Sequence, residues 1–210
     1  MNRVLRHLVR PRAGQFQPYT HTEPDRYPWL FRFAAEAVAD GPGTRLLSFG
    51  CSKGDEVLAL RKYFPHAAIK GIDIGWRNIA RCRARAPRGC EFSVASDTKG
   101  EPPESYDAIF CLAVLCHGDL TKFAAESCEP FVRFADFDAT VGDFARCLKP
   151  GGVLFLHTAN FRFGDSSAAD GFEVLFEAPR EEMAPDVQFG RDNRRLDEVC
   201  RDVAFRKKGA

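Results

Sequence analysis

One short stretch, Arg45 to Glu56, constrains the fold more than any other part of the chain. It reads RLLSFGCSKGDE, in which an apolar run stops at a turn of small residues, Gly50 to Gly54. A helical pattern begins directly after it, with apolar residues three and four positions apart. The stretch therefore predicts a strand, a tight turn and a helix. Glycines in such a turn let the backbone approach a ligand, and the N–H groups that open the helix can bind its polar part.

Three interpretations of this turn compete. A dinucleotide fingerprint, G-x-G-x-x-G, needs glycines where Ser52 and Asp55 stand, so the sequence argues against it. The pattern G-x-S-x-G matches literally and would make Ser52 a hydrolase nucleophile on a strand-to-helix elbow. The third interpretation depends on motifs further along the chain.

Length and charge limit the possible functions. The chain has 210 residues, of which 45% are hydrophobic and 28% charged, as in an ordinary globular domain. A net charge of +1 favours neither a nucleic-acid partner nor an anionic membrane. No apolar run approaches the ~18 residues of a membrane span, and the first residues lack the apolar core of a signal peptide. We therefore expect a soluble, cytoplasmic protein.

The eight cysteines favour buried thiols over disulfides, because several stand inside apolar runs and no CxxC pair occurs. Cys111, Cys116 and His117 lie close together in sequence, but their spacing is not that of a zinc site and no second ligand pair follows. The sequence therefore predicts no metal.

Apolar strands and amphipathic helices alternate along the chain, which predicts an α/β fold with a doubly wound, mostly parallel, Rossmann-like sheet. The last two strands have no clear helix between them, so we expect a C-terminal antiparallel hairpin. The predicted helices are Tyr27–Asp40, Gly54–Phe64, Trp76–Ala84 and Phe134–Cys147. The first predicted strand follows Arg45, the second ends at Asp73 and the third ends at Asp97; the others span Tyr106–Cys111, Val153–Thr158, Phe172–Phe176 and Val203–Lys207. A turn at Leu148–Gly152 is predicted before the strand Val153–Thr158.

The ends of the second and third strands carry acids. Asp73 lies 23 positions after Gly50, close to the ~20-residue offset at which an acid meets a ribose diol in nucleotide-binding α/β folds. Ile74 would offer the adenine an apolar edge. The alternative for Asp73 is to cap the next helix. Asp97 would accept a hydrogen bond from the adenine amino group, or belong to a solvated turn.

Five motifs stand in an order and spacing that resemble those of class I S-adenosylmethionine-dependent methyltransferases: LLSFGCSKGDE, GIDIG, SVASD, YDAIFCLAVL and LKPGGVLFLHT. The resemblance covers about Thr44 to Thr158. It implies seven strands with a final antiparallel hairpin, S-adenosyl-L-methionine as methyl donor and S-adenosyl-L-homocysteine as product. The turn GCSKGDE also resembles that of chemoreceptor glutamate methyltransferases. Two departures stand out: Ser48 replaces the usual acid, and Ser52 the middle glycine.

The resemblance also implies the functional residues and the division of the chain. Residues 1–40 would form an N-terminal tail, a lid segment and a helix, and residues 41–210 the methyltransferase domain, in one domain overall. The implied cofactor contacts are Gly50, Cys51, Ser52, Gly54, Asp73, Ile74, Asp97, Leu112 and Ala113.

Methyl transfer from a sulfonium depends mainly on proximity, and a base is needed only if the acceptor must lose a proton. His117, which follows the fourth strand, is the first candidate base. His21 on the lid and His157 near the end of the fifth strand come next, and each is also explained as a packed or surface histidine. The expected substrate is a small molecule with an O or N nucleophile, and the expected assembly a monomer or homodimer.

Three other functions stay open. Ser48 and Ser52 suggest a cofactor-binding module without transfer activity, and the chemoreceptor-like turn suggests a protein carboxyl methyltransferase. A serine hydrolase would need Ser52 with Asp138 and His157 as triad partners, but no HGG-type oxyanion loop accompanies them.

Overall fold

A computed structural model describes residues 15–20, 22–129, 131–183 and 187–209. Within these ranges helices cover both faces of a seven-stranded sheet. The helices are α1 Pro28–Ala37, α2 Asp55–Tyr63, α3 Trp76–Ala84, α4 Gly118–Lys122 and α5 Phe134–Cys147; the strands are β1 Arg45–Phe49, β2 Ala68–Asp73, β3 Cys90–Val94, β4 Tyr106–Leu112, β5 Leu148–His157, β6 Phe172–Glu177 and β7 Asp202–Lys207. None of the described helices is long and apolar enough to cross a membrane.

The strand order is β3-β2-β1-β4-β5-β7-β6. Strands β1 to β5 pair in parallel, and β7 runs antiparallel between β5 and β6. The predicted fold, a doubly wound and mostly parallel sheet closed by an antiparallel hairpin, is confirmed. The order reverses between β1 and β4, and a reversal of this kind leaves a crevice at the carboxyl ends of the strands.

Two apolar cores flank the sheet, because successive side chains of a strand point to opposite faces. In β4, Ala108 and Phe110 belong to one core and Ile109 and Cys111 to the other. Helices α1, α2 and α3 pack on the face of Phe110, and α5 packs on the opposite face. Covered faces explain why the central strands are almost entirely apolar.

Two predicted boundaries were too late in the sequence. Helix α1 ends at Ala37 rather than Asp40, because Val38 is already extended. Strand β3 ends at Val94 rather than Asp97, because the chain bends away after Ala95 pairs with the end of β2.

Strand β5 begins earlier than predicted. The expected turn at Leu148–Gly152 is an irregular start of the strand, in which Tyr106 pairs with Leu148 and Ala108 with Val153. Gly151 takes up the irregularity with a φ of +78°.

The segment after β4 also differs from the prediction. The apolar run continues to Cys116, but the strand ends at Leu112 because Ala113 adopts a φ of +58° and turns the chain. The short helix α4 follows, and no sequence pattern predicted it.

Candidate active site

A cavity of about 460 Å³ opens at the carboxyl ends of β1, β2 and β4, where the strand order reverses. Its floor is formed by residues at the ends of these strands. A roof segment, residues 15–20 and 22–27, covers it from the N-terminal side. The floor includes Gly50, Cys51, Ser52, Asp73, Ile74, Leu112 and Ala113. The roof segment thus narrows the crevice that the topology leaves open to a pocket of ligand size.

The turn after β1 is shaped by Gly50. Its φ is +73°, and a Cβ at this position would lie 2.5 Å from a methyl carbon of Val114. Both facts exclude any larger residue. The N–H groups of Gly50 and Cys51 donate to the carbonyl oxygen of Ile72, so the turn is fixed to β2. Ser52 continues the bend with a φ of +48°.

Asp73 ends β2 and joins the turn to the start of α3. Its Oδ2 accepts a hydrogen bond from the Ser52 N–H at 2.9 Å, and its Oδ1 accepts from the Gly75 N–H at 2.7 Å and from Asn78 Nδ2 at 3.4 Å. A carboxylate has about four acceptor sites, so one remains at Oδ2 for a ligand hydroxyl. Ile74 is 39% exposed beside it and presents an apolar surface to the cavity.

Glu56, in the first turn of α2, is a cavity residue that the sequence analysis missed. The hydroxyl of Ser48 donates to its Oε1 at 2.6 Å. Burial raises the pKa of the Glu56 carboxyl to about 8, although the Ser48 hydrogen bond and the charge of Arg26 oppose this. The sequence contained a signal for this role. Serine stands at position 48, where the family usually has an acid, and Glu56, eight positions later in the same motif, brings a carboxyl group to the Ser48 side chain.

The roof segment is attached by side chains. The Tyr19 hydroxyl donates to Asp119 Oδ2 at 2.8 Å, and the Gln17 amide donates to the sulfur of Cys116 at 3.3 Å. Arg26 lines the cavity from above. The roof thus contacts the segment that follows β4 and contributes a positive charge opposite Glu56.

Two proposed cofactor residues do not line the cavity. Asp97 is exposed, and its Oδ1 accepts from the N–H of Lys99 in a turn; Ala95 and Ser96 line the cavity in its place. This difference follows from the early end of β3. Gly54 instead sets the start of α2: its φ is +90°, and an added Cβ would lie 2.9 Å from Cys82 Sγ.

The histidine candidates lie behind the cavity or outside the described residues. His21 is outside them. His117 is fully buried; its backbone N–H donates to Asn160 Oδ1 at 2.6 Å, and its ring centroid lies 6.4 Å from that of Tyr19. His157 packs edge-on against Tyr27 and Trp29, with ring centroids 4.9 and 5.3 Å away.

His157 lines a separate small cavity of about 30 Å³ rather than the large one. Burial lowers its pKa to about 4, so the ring is neutral at physiological pH. Neither of the described candidates lines the large cavity.

The hydrolase arrangement is not formed. Among the described residues, the Ser52 hydroxyl is buried without a hydrogen-bond partner, so no base contacts it. Asp138 accepts hydrogen bonds from Ser167 instead of orienting a histidine. The G-x-S-x-G match is therefore a coincidence of a glycine-bordered turn.

A family model described as a methyltransferase domain matches residues 19–196, which is most of the chain. The chain belongs to this family. The predicted membership of the class I S-adenosylmethionine-dependent methyltransferases is confirmed, and S-adenosylmethionine is the cofactor of the family.

Individual relatives match more distantly. The ubiquinone biosynthesis O-methyltransferase of Pseudomonas syringae pv. tomato is 27% identical over 164 residues, which cover 75% of this chain and 60% of the relative. The corresponding protein of Pseudomonas aeruginosa is 28% identical over 167 residues, with the same coverage. The chain thus spans about 60% of the length of these curated relatives.

Among solved structures, the (4+2)-cyclase SpnF has a TM-score of 0.51 at 22% identity, and the match covers 71% of this chain and 58% of SpnF. This likeness concerns the fold alone. A protein named as a cyclase shares the fold with this methyltransferase family, so the chemistry must be argued from the site.

The described residues fit the family's cofactor. The Gly50 turn lines the cavity, Asp73 has acceptor capacity left for a ribose hydroxyl, and Ile74 offers adenine an apolar surface. Arg26 carries a positive charge at this cavity, and Glu56, whose pKa is raised to about 8 in the empty site, can ionise beside a bound ammonium group, so the pair suits the zwitterionic methionine end.

Proposed function

We propose that this chain transfers the methyl group of S-adenosylmethionine to an O or N nucleophile of a small molecule by in-line displacement. The observation that carries the proposal is the cavity at the β1–β4 reversal, which joins the Gly50 turn, Asp73 and the Glu56–Arg26 pair. The cofactor, when bound, supplies a methyl group on a positively charged sulfur, which needs no covalent help from the protein.

The chain's own residues bind, orient and exclude water. Asp73 accepts from the ribose, and Ile74, Ala95 and Ser96 surround the adenine. Glu56 accepts a hydrogen bond from the methionine ammonium group and Arg26 pairs with the methionine carboxylate. These two residues thus bind the charged groups of the methionine end, which the Ser48 hydroxyl cannot do. Gly50, Cys51, Ser52, Leu112 and Ala113 complete the cofactor contacts.

The roof segment holds the acceptor against the methyl group and excludes water, since proximity in a dry site supplies most of the acceleration. Tyr19 and Tyr27 line the cavity where the segment after β4 meets the roof. We assign no proton transfer to His117 or His157, because neither lines this cavity. An acceptor that reacts as a neutral amine or as an already ionised hydroxyl fits a site of this kind.

A small acceptor is favoured by the size of the cavity and by the roof that closes it. The O-methyltransferase names of the curated relatives favour oxygen as the nucleophile. The proposed assembly is a monomer or a homodimer. The cysteines among the described residues are free, which suits the reducing cytoplasm.

Titration calorimetry with S-adenosylmethionine and S-adenosylhomocysteine tests the binding half of the proposal. We expect both ligands to bind, and Asp73→Ala to weaken them by about tenfold to a hundredfold, as expected for a lost hydrogen bond to a charged group. Asp97→Ala is the matched control, because Asp97 is an exposed acid outside the cavity. Equal losses in both variants would contradict the assignment of Asp73.

A second candidate is a cofactor-binding module without transfer activity. One observation favours it: neither of the described histidine candidates lines the cavity. A turnover screen with a labelled methyl donor, over phenols, amines, carboxylic acids and a carboxylate-bearing protein, separates these functions. Label transfer to a small acceptor supports the enzyme, and label on the protein alone supports a protein carboxyl methyltransferase.

A further inference from the structure

We propose that the Tyr27 hydroxyl binds the oxygen that accepts the methyl group, and that Thr158 positions Tyr27 for this contact. The inference rests on the proposed function and deepens it, because it names the side chain that receives the acceptor. The class of acceptor that fits is an ionised oxygen, as in an acidic phenol or a carboxylic acid.

Tyr27 lies on the side of the cavity that the proposed cofactor contacts leave unused. Those contacts follow strands β1 to β4, whereas the Tyr27 hydroxyl lies 3.4 Å from Oγ1 of Thr158, the first residue after β5. Strand β5 borders β4 on the side away from β1 and β2. Since Tyr27 also lines the large cavity, it stands beyond the cofactor contacts, where the acceptor has to approach.

The position of Tyr27 is fixed by helix α1 and by the end of β5. Its carbonyl oxygen accepts hydrogen bonds from the N–H groups of Leu30 and Phe31, both at 3.1 Å, where α1 begins. Its ring packs edge-on against His157, with the ring centroids 4.9 Å apart. A hydroxyl on a ring that is held in this way can fix a substrate atom in one place.

The Tyr27 hydroxyl keeps hydrogen-bonding capacity for a ligand. The 3.4 Å between the Tyr27 and Thr158 oxygens is longer than the ~2.7–2.8 Å of a common O–H···O bond, so the contact is weak. Each hydroxyl has one donor and can also accept. Thr158 can therefore donate to the Tyr27 oxygen while Tyr27 donates to the acceptor, and such contacts often shorten when substrate binds.

Thr158 is held in a strained backbone conformation. Its φ is +55°, which is a clear outlier for a β-branched residue. Ala113, the first residue after the neighbouring strand β4, also has a positive φ, and its N–H donates to the His157 carbonyl oxygen at 2.9 Å. Strain of this kind concentrates at ligand-binding sites. Two strained residues at the ends of adjacent strands thus mark this side of the cavity as functional.

The Tyr27 hydroxyl acts as a donor and not as a base. Burial raises its pKa, although the Thr158 hydrogen bond and the charge of Arg26 oppose this, and Cys116 and Glu56 act in the same direction as burial. The neighbouring His157 ring is neutral. A protonated hydroxyl donates most strongly to a negatively charged oxygen, so the acceptor that it favours is already ionised.

An ionised acceptor needs no base for the transfer itself. The acceptor oxygen forms the new O–C bond with its own lone pair, and the electrons of the S–C bond stay on the sulfur, which becomes neutral. No proton leaves in this step. The apolar side chains that line the same cavity can pack against the ring of a phenol; they are Phe16, Phe31, Phe49 and Val114.

The experiment measures the binding of para-nitrophenol, whose ionised form has its own absorbance, to the protein saturated with S-adenosylhomocysteine. At a pH where the probe is ionised, we expect Tyr27→Phe to bind it about tenfold to a hundredfold more weakly than the wild type, as for a lost hydrogen bond to a charged group. Nitrobenzene, the same ring without the hydroxyl, should bind equally to both proteins. Calorimetry should give both proteins the same affinity for S-adenosylhomocysteine.

Substitutions of Thr158 test its positioning role. Thr158→Val keeps the shape and removes the hydroxyl, and the affinity for the ionised probe should fall by about two- to tenfold, as for one neutral hydrogen bond. Thr158→Ser keeps the hydroxyl and should bind the probe like the wild type. Two control variants should also match the wild type: Tyr63→Phe, outside the cavity, and Thr140→Val, whose hydroxyl donates to the Asp136 carbonyl oxygen on α5.

The proposal is overturned if the wild-type complex does not bind the ionised probe, if Tyr27→Phe binds it as tightly as the wild type, or if nitrobenzene loses as much affinity. An equal loss of affinity for S-adenosylhomocysteine in Tyr27→Phe would place Tyr27 at the cofactor and overturn it as well. A wild type that binds no S-adenosylhomocysteine refutes the proposed function, whereas normal binding with any of the other outcomes refutes only the role of Tyr27.

Discussion

The floor and the roof of the cavity are built in different ways. The floor is fixed by the backbone: the turn after β1 donates two N–H groups to Ile72, and Asp73 accepts from the Ser52 and Gly75 N–H groups. The roof is held by side chains that reach across about half the chain, such as Tyr19 to Asp119 and Gln17 to Cys116. A floor fixed by backbone hydrogen bonds keeps its shape in the empty cavity, whereas a roof held by side chains can detach without disturbing the sheet.

The largest effect is expected at the backbone of the floor. Gly50→Ala places a Cβ against Val114 at a residue with φ of +73°, so the turn must shift. We expect a loss of stability of about 1–3 kcal/mol. The affinity for S-adenosylmethionine should fall by about a hundredfold, because the turn is displaced.

Thermal unfolding and calorimetry measure these two effects. Gly43→Ala is the control, since nothing lies within 4 Å of an added Cβ there. Adding Val114→Ala should restore part of the affinity by removing the clash but not the backbone strain. A Gly50→Ala protein with normal affinity would show that the floor is not rigid.

The second effect concerns a side chain of the floor. Glu56→Gln keeps the shape of the residue but removes the carboxyl group that, in the proposed complex, ionises beside the methionine ammonium. We expect affinity for S-adenosylmethionine to fall by about tenfold to a hundredfold, as for a lost charged hydrogen bond. Asp55→Asn, one residue earlier in α2 and outside the cavity, is the control. Equal affinities for the wild type and Glu56→Gln would remove Glu56 from the site.

The same variant has a pH signature in the ligand-free protein. The folded-state pKa of Glu56 is raised from 4.5 to about 8. Between these values the unfolded chain has released a proton that the folded chain retains, so the free energy of unfolding falls as pH rises through this window. Denaturant unfolding should show that the free energy of unfolding falls less between pH 5 and pH 8 for Glu56→Gln than for the wild type.

A smaller effect is expected in the roof. Tyr19→Phe removes the hydrogen bond to Asp119 but keeps the ring, so stability should be unchanged within error. The dissociation rate of S-adenosylhomocysteine should rise by about two- to tenfold, the amount expected for one neutral hydrogen bond. Stopped-flow displacement measures it, with Tyr63→Phe, which lies outside the cavity, as the control. An affinity loss as large as that of Glu56→Gln would mean that the roof is part of the rigid site.

The smallest effect on binding is expected at His157, which lies outside the large cavity. His157→Phe should leave affinity unchanged. Its pKa is lowered from 6.5 to about 4, so between these values the unfolded chain binds a proton that the folded chain refuses. The free energy of unfolding of the wild type therefore falls as pH drops through this window, and that of His157→Phe should fall less. A changed affinity of His157→Phe for S-adenosylmethionine at neutral pH would show that His157 belongs to the binding site.

The contrast between floor and roof also explains what the sequence could predict. Strand pattern, the Gly50 turn and the 23-position offset of Asp73 are local signals, and they led to the correct sheet and to the family. The positions of Asp97 and His117 depend on where β3 and β4 end, and those ends are decided by tertiary contacts. Ala113, for example, turns the chain with a φ that its neighbours in sequence do not require.

Glu56 is the instructive omission. Its role depends on the Glu56 side chain, in the first turn of α2, reaching the hydroxyl of Ser48. The sequence shows this pairing only as a serine at position 48, in place of the usual acid, and an acid at position 56. The helix period places Glu56 on the same side of α2 as Ala59, which also lines the cavity. When a motif lacks its usual acid at the end of the strand, the first turn of the following helix should therefore be searched for an acid that replaces it.

The position of β7 has a consequence for how the protein is made. It follows every other strand in the chain, yet it lies inside the sheet, between β5 and β6. During synthesis β5 keeps an open edge and β6 has no neighbour until residues 202–207 leave the ribosome. Unpaired edges promote aggregation, and pairings between distant segments form slowly. The nascent chain therefore carries these unpaired edges until β7 has been made.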